Sequence, residues 1–272
     1  MARALDRISD RLSAFGHQLL FYGRAVVATP HAFRHHRKEV WRLLGEASFG
    51  TGALAVIGGT FGIILLLSFF TGTEVGLQGY TGLDNIGASI FTGFISAYFN
   101  TREIAPIVAG ISLSATLGAG FTGQLGAMRI AEEIDAIESM AIPPIPYLVT
   151  TRVVAGMIAV VPLYLAGLFS SYFATRLIVT SSFSQSSGAY DHYFHLFLPP
   201  LDVLLSLVKA LMFAVIVILV HCYYGFTAKG GPGGVGVAVG RAVRAAIVLV
   251  TVSDFFISLA FWGATDTVRI AG

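Results

Sequence analysis

The sequence predicts an all-α integral membrane protein with five spanning helices, and three observations carry that prediction. Of 272 residues, 55% are hydrophobic and only 12% charged, and mean hydropathy is +0.77, whereas a soluble domain carries roughly 25% charge. Apolar runs recur that are long enough, at about 1.5 Å per helical residue, to cross a hydrocarbon core of roughly 30 Å. The basic residues gather before residue 45 while the net charge is only +2, a distribution that fits an anionic membrane surface and excludes a nucleic-acid partner. The chain divides into basic N-terminal helices at 1–45, a transmembrane domain at 46–266 and a tail at 267–272.

Residues 3–28 place Leu5, Ile8, Leu12, Phe15 and Leu19 at helical spacing, with Arg3, Arg7 and Arg11 on another face, as in a helix lying on the cytoplasmic leaflet. Pro30 ends it. The following HAFRHHRKEVWRLL predicts a second basic interfacial helix with Trp41 at headgroup depth. His31, His35 and His36 lack a carboxylate or cysteine partner pattern and read as a solvated basic face. The first long apolar run begins after Glu46 and is too long for the core of a cleavable signal peptide, so the N-terminus is expected in the cytoplasm.

Residues 47–73 carry no charge and form the first predicted span, with Gly58, Gly59 and Gly62 offering a face for close helix approach. The glycines of GTEVGLQGYTG then predict a broken helix end at the outer surface. As one helix, the segment 84–128 would be about 65 Å long, twice a bilayer. Arg102, Glu103 and Pro106 interrupt it, predicting a short re-entrant or outer-leaflet helix over 85–101 and a second span over 103–126. Parity supports this division: two full crossings would leave the basic loop after Cys222 outside. Arg152 and Arg176 bracket the third span, with Pro162 as a kink. The fourth and fifth spans cover 201–224 and 241–264, joined by FTAKGGPGGVGVAVGRAVR as a cytoplasmic loop carrying Lys229, Arg241 and Arg244. The count places the C-terminus outside. No internal repeat is present, which weighs against an inverted-repeat secondary transporter.

Between the second and third spans lies the acidic stretch GQLGAMRIAEEIDAIESMAIPP, where a helix is predicted over 127–142. Ile130, Ile134, Ile137 and Ala141 share one face, Glu132, Asp135 and Ser139 the opposite one, with Glu133 and Glu138 at the flanks; Pro143 and Pro144 stop it. An anionic leaflet repels such carboxylates, so the polar face is expected to dock on protein.

Charged residues within spans are costly and need a partner or a task. Arg102 and Glu103 either hold an anionic headgroup at a cavity mouth or form an interfacial pair that caps a helix. Lys209 and Asp254 lie on consecutive spans at depths about one helical turn apart, and either pair or serve a proton relay. Asp191, His192 and His195 in the loop 180–200 are open to a metal or to plain loop polarity. The run GGPGGVG is no Walker A loop, because Lys229 precedes the glycines and no Gly-Lys-Ser/Thr follows. No Ser-His-Asp set and no G-x-S-x-G elbow is evident, so catalysis by this chain is not expected. Cys222 alone makes no intrachain disulfide and reads as a small buried hydrophobe.

At these residues the chain resembles the MlaE/YrbE family, the permease subunits of Mce-type lipid ABC transporters, from about Arg42 onward. The motif ELGxMRxxEExDAxxxM appears as QLGAMRIAEEIDAIESM at 124–140, with Gln124 in place of an acidic residue. GLQGY at 76–80, REIAP at 102–106 and the Asp254-Phe255 pair occur in the same order. HCYYGFTAKGGPGGVGVAVGRAV and HHRKEVWRL are most similar to the mycobacterial YrbE branch. The resemblance implies a coupling helix between spans two and three and a second related permease in a heterodimer. It further implies a cytoplasmic ATPase dimer that carries the ATP and Mg, MCE proteins on the outer side, a lipid substrate (fatty acid, sterol or phospholipid), and an inner-membrane location. By matching positions, Tyr80, Arg102, Glu103 and Ile104 fall near the lipid pocket, and Met128, Arg129, Glu132, Glu133, Asp135 and Met140 at the ATPase contact. No cofactor is expected on this chain. The alternatives are a proton-coupled secondary transporter using Asp254 and an intramembrane lipid-modifying enzyme.

Overall fold

The computed structural model describes residues 2–30, 36–49 and 59–263. His31, His35, Gly58, the start of the predicted first span and the tail lie outside them, as do the side chains of the basic face at Arg3, Arg7 and Arg11. Among the described residues every regular element is helical: α1 (Ala2–Val27), α2 (Arg37–Phe49), α3 (Thr60–Asp84), α4 (Ser89–Ile130), α5 (Glu133–Ser139), α6 (Ile145–Ser182), α7 (Ser187–Leu196), α8 (Pro200–Phe226) and α9 (Gly231–Trp262). Helices α3, α4, α6, α8 and α9 are the five long and apolar enough to cross a membrane. They run alternately between a basal end, where α1 and α5 sit, and an apical end, where α7 sits.

Helix α3 continues unbroken through GTEVGLQGYTG, where the sequence predicted a break. Its glycines serve contact. A Cβ on Gly72 would lie 2.4 Å from the Ser171 carbonyl oxygen, and one on Gly76 2.3 Å from Ile178 Cγ2. Without those carbons α3 and α6 approach closely enough for Thr175 Oγ1 to donate to the Gly72 carbonyl at 2.7 Å, and Ser170 Oγ to that of Leu65 at 3.0 Å. This is small-residue packing of the kind that holds helices together in lipid. It uses Gly72 and Gly76, which lie beyond the predicted contact face of Gly58, Gly59 and Gly62.

Helix α4 is one continuous run of 42 residues. The short helix predicted over 85–101 is therefore not separate; from Ser89 onward it is the apical part of α4, and the short apical helix is α7. Length is absorbed by two π-helical stretches, Ser96–Ile104 and Ser114–Gly118. The first ends just before Pro106, which has no N–H to give the Arg102 carbonyl and so disrupts the regular ladder.

The acidic segment is also divided. Residues 127–130 complete α4; Glu132 takes a left-handed φ of 58°, α5 covers Glu133–Ser139, and Ala141 turns again at φ 60°. The predicted apolar face is thus cut after Ile130. Ile134 is buried, while Ala141 is exposed. Finally, α9 begins at Gly231, ten residues before the predicted span. Gly230 and Gly231 adopt φ of 91° and 70°, and Pro232 occupies the first turn, where its missing N–H costs nothing. The glycine run belongs to the helix; the connection is only residues 227–230.

At the basal end the last turns of α1 pack inward. Phe21 meets Tyr223 and Phe226 with ring centroids 5.5 Å apart in each case, and Thr150 Oγ1 donates to the Ala25 carbonyl at 2.9 Å. Trp41 on α2 is 67% exposed, as an interfacial side chain requires.

Candidate functional site

Three places in the bundle concentrate unusual chemistry, and α4 contributes to each. The first is a buried charge network in the apical half. Arg102 is 5% exposed and donates through Nε (2.9 Å) and an Nη (2.6 Å) to Asp202 Oδ2, while Trp262 Nε1 donates to Asp202 Oδ1 at 3.0 Å. The Tyr98 ring lies under the guanidinium at 4.2 Å. Burial, ion pairing and a cation–π contact thus coincide. Arg102 and Glu103 are not partners of each other. Glu103 instead accepts from Lys209 Nζ at 3.0 Å and from Ser258 Oγ at 2.9 Å.

Lys209 is fully buried and gives its ammonium protons to the Arg102 carbonyl (2.7 Å), Glu103 Oε2 (3.0 Å) and Ser258 Oγ (2.7 Å), with Asp254 Oδ1 in ion contact at 2.7 Å. The carbonyl it takes lies four residues before Pro106, which has no N–H to donate to it. Backbone and side-chain defects of two helices therefore cancel. Lys209 and Asp254 are brought together as a pair, and the network adds Asp202, Ser258 and Trp262, which sequence reasoning missed. Asp202 reads locally as an acidic residue in a helix first turn. Its role follows only from Arg102 needing a counter-ion, and the two are 100 positions apart.

The second place is a groove of about 430 Å³ between α3 and the apical part of α4, lined by Thr71, Glu74, Val75, Gln78, Gly79, Ile95, Phe99 and Ile104. Of the four residues assigned to a lipid pocket by resemblance, Ile104 lines this groove. Arg102 and Glu103 point into the charge network, and Tyr80 stacks on Phe183 with centroids 4.1 Å apart.

The third is the basal acidic turn. Arg129, at the end of α4, pairs with Asp135 of α5 at 2.6 Å across the left-handed Glu132. Glu132, Glu133, Glu138 and Met140 are exposed, Met140 by 62%, and Met128 is partly buried against the core. Nearby, Arg152 lies inside α6 instead of bracketing it, donating to the Leu148 carbonyl (2.6 Å) and Gln124 Oε1 (3.2 Å). The replacement at Gln124 thus supplies a neutral acceptor for a buried guanidinium.

Two remaining sequence candidates have bounded roles. Asp191 accepts from Arg176 through both carboxylate oxygens (2.8 and 2.9 Å), and that guanidinium holds its carboxyl below the usual range. His195 Nδ1 lies 2.7 Å from the Asp191 carbonyl oxygen, and among the described residues no three His, Cys, Asp or Glu cluster to hold a metal ion. Cys222 is fully buried. Beside it, His221 was not singled out by sequence; its ring nitrogens meet Ser114 Oγ (2.9 Å), in the first residue of the second π stretch, and Thr122 Oγ1 (2.8 Å), one turn beyond its end.

The comparisons with known proteins bear on these features together. A family model described as Permease MlaE matches residues 49–260. A probable ABC transporter permease protein of Rickettsia felis is 32% identical over 201 residues, covering 74% of this chain and 77% of that protein. The intermembrane phospholipid transport system permease protein MlaE of Haemophilus influenzae is 27% identical over 203 residues, covering 74% and 78%. The chloroplastic protein TRIGALACTOSYLDIACYLGLYCEROL 1 of Arabidopsis thaliana is 28% identical over 211 residues, covering 77% and 60%.

Proposed function

The chain belongs to the MlaE permease family, and on that premise we propose that it is the non-catalytic permease subunit of an ABC-type lipid transporter in the inner membrane. A cytoplasmic ATPase dimer docks on the exposed acidic helix α5. A second, related permease stands beside this chain, as in the mycobacterial YrbE branch, and MCE proteins receive or deliver lipid at the apical side. The N-terminus and the basal end then face the cytoplasm, where the exposed Arg24 of α1 and Arg37, Lys38 and Arg42 of α2 meet anionic lipid. The groove between α3 and α4 holds the hydrophobic substrate.

One observation carries the ATPase assignment. The α4–α6 connection exposes four carboxylates, Glu132, Glu133, Asp135 and Glu138, at the end where basic helices gather. Carboxylates there are repelled by the leaflet and favoured by a protein partner of opposite charge. The ion contact of Asp254 with Lys209 favours a structural role for Asp254 over a proton relay.

Tagged protein purified from the native host should bring down an ATPase subunit. Glu132→Lys with Glu133→Lys should abolish that association while membrane insertion and monodispersity are retained. Retained association would remove α5 from the contact, and absence of any ATPase with the wild type would remove the ABC reading.

A further inference from the structure

The groove between α3 and α4 is apolar apart from Thr71, Glu74 and Gln78, and these three have a common property. Thr71 Oγ1 donates to the Leu67 carbonyl at 2.8 Å, and Gln78 Nε2 donates to Glu74 Oε1. The hydroxyl proton and an amide proton are thus spent within α3. What the groove receives is chiefly acceptor capacity: the remaining lone pairs of the Glu74 carboxylate, the Gln78 carbonyl oxygen and the Thr71 oxygen, against the one Gln78 amide proton not spent on Glu74. No arginine, lysine or histidine among the described residues stands within ion-pair distance of Glu74. The cations of the apical half have other partners: Arg102 and Lys209 are buried with Asp202, Glu103 and Asp254, and Arg176 is paired with Asp191. A carboxylate facing an apolar groove without a cation repels another anion and is stabilised by a donor.

We infer that this groove selects an amphiphile whose polar end donates hydrogen bonds, a hydroxyl or an ammonium, and rejects one ending in a bare anion. Its apolar body lies along Val75, Ile95, Phe99 and Ile104, and its donor meets Glu74 and Gln78. This rests on the lipid-permease reading above and adds the class of headgroup.

The test uses the intact transporter, purified with its co-purifying subunits and placed in nanodiscs of zwitterionic phospholipid. Three photoreactive octadecyl probes differ only in their polar end: alcohol, ammonium or sulfonate. Labelled peptides are mapped by mass spectrometry. Alcohol, ammonium or both should label residues 71–79 and 95–104 about tenfold more efficiently than sulfonate, the factor expected of one hydrogen bond to a charged group. Which of the two dominates identifies the source of the donor. Glu74→Gln, isosteric and at an exposed position, should bring sulfonate labelling to within about threefold of the better donor probe, since the repelling charge is gone. Ile104→Trp should block all three by filling the groove. Equal labelling by sulfonate in the wild type, or a headgroup ranking unchanged by Glu74→Gln, overturns the headgroup inference and leaves the groove standing. Absence of labelling there by every probe overturns the lipid-site reading itself.

Discussion

Replacing Lys209 with methionine removes one ammonium from a site where nothing else can stand in for it. The side chain is fully buried, makes three hydrogen bonds of 2.7–3.0 Å and lies 2.7 Å from Asp254. Its loss leaves two carboxylates, Glu103 and Asp254, facing each other in the membrane and removes the donor that Lys209 gives the Arg102 carbonyl. Breaking one buried pair costs about 3–5 kcal/mol. At roughly 2–4 °C per kcal/mol for a chain of this size, the thermal midpoint should fall by about 10 °C. A melt followed by fluorescence-detected size-exclusion chromatography in one detergent measures it. Adding Glu103→Gln and Asp254→Asn to Lys209→Met removes the stranded charges and should recover at least half of the loss, because the three residues act as one unit. A single variant within about 2 °C of wild type, worth less than one kcal/mol on the same scale, would refute the claim that this cluster holds α4, α8 and α9 together.

Two further predictions concern packing and pH. Gly72→Leu should lower the midpoint by the equivalent of at least 1–3 kcal/mol, because its Cβ would meet the Ser171 backbone at 2.4 Å. Gly82→Leu, with nothing within 4 Å of its Cβ, should be near neutral in the same melt; equal effects would show that α3 and α6 are not in close contact. Asp191→Asn should destabilise by no more than about 1 kcal/mol at neutral pH, since its pair with Arg176 is half exposed. Arg176 lowers the Asp191 carboxyl in the folded state, so the stability it adds is present above the ordinary carboxylate value. That stability disappears as pH falls through the lowered one. The difference between variant and wild type should therefore shrink below about pH 4, and a constant difference down to pH 2 would exclude the ion pair as its source.

Most of the architecture was legible because membrane spans are a local property. Five apolar runs, the basic approach and the acidic connection are each contained in a few dozen consecutive residues. The errors share one cause, which is that glycine, proline and charge were read as punctuation. In α3 the glycines of GTEVGLQGYTG mark where another backbone comes close, a fact that lies in α6. At Arg102, Glu103 and Pro106 the helix seemed to stop, yet Lys209 from α8 satisfies both the carbonyl and the carboxylate, so it continues. At Glu132 the opposite happened: a helix-favouring run breaks at a left-handed residue with no glycine to announce it. The charge partners were the least legible part of the site. Arg102 and Asp202, or Glu103 and Ser258, are 100 and 155 positions apart, and only the packing order of α4, α8 and α9 makes them neighbours. Glu74 fell just beyond the predicted first span, in the stretch read as a broken helix end, and that no described cation lies within ion-pair distance of it shows only in the packed structure.

The length of α4 has a mechanical consequence. The same helix ends at the acidic turn, is pinned at Arg102 and Glu103 by the charge network, and lines the groove with Ile95, Phe99 and Ile104. At about 1.5 Å per residue, Ile130 lies roughly 40 Å from the pin and Ile95 roughly 12 Å beyond it. A rigid tilt of α4 by about 5° about that pin would move the basal tip by about 3.5 Å and the groove wall by about 1 Å in the opposite sense. A coarse push at the long arm would then become a fine adjustment at the short one, about a fulcrum set by a lysine.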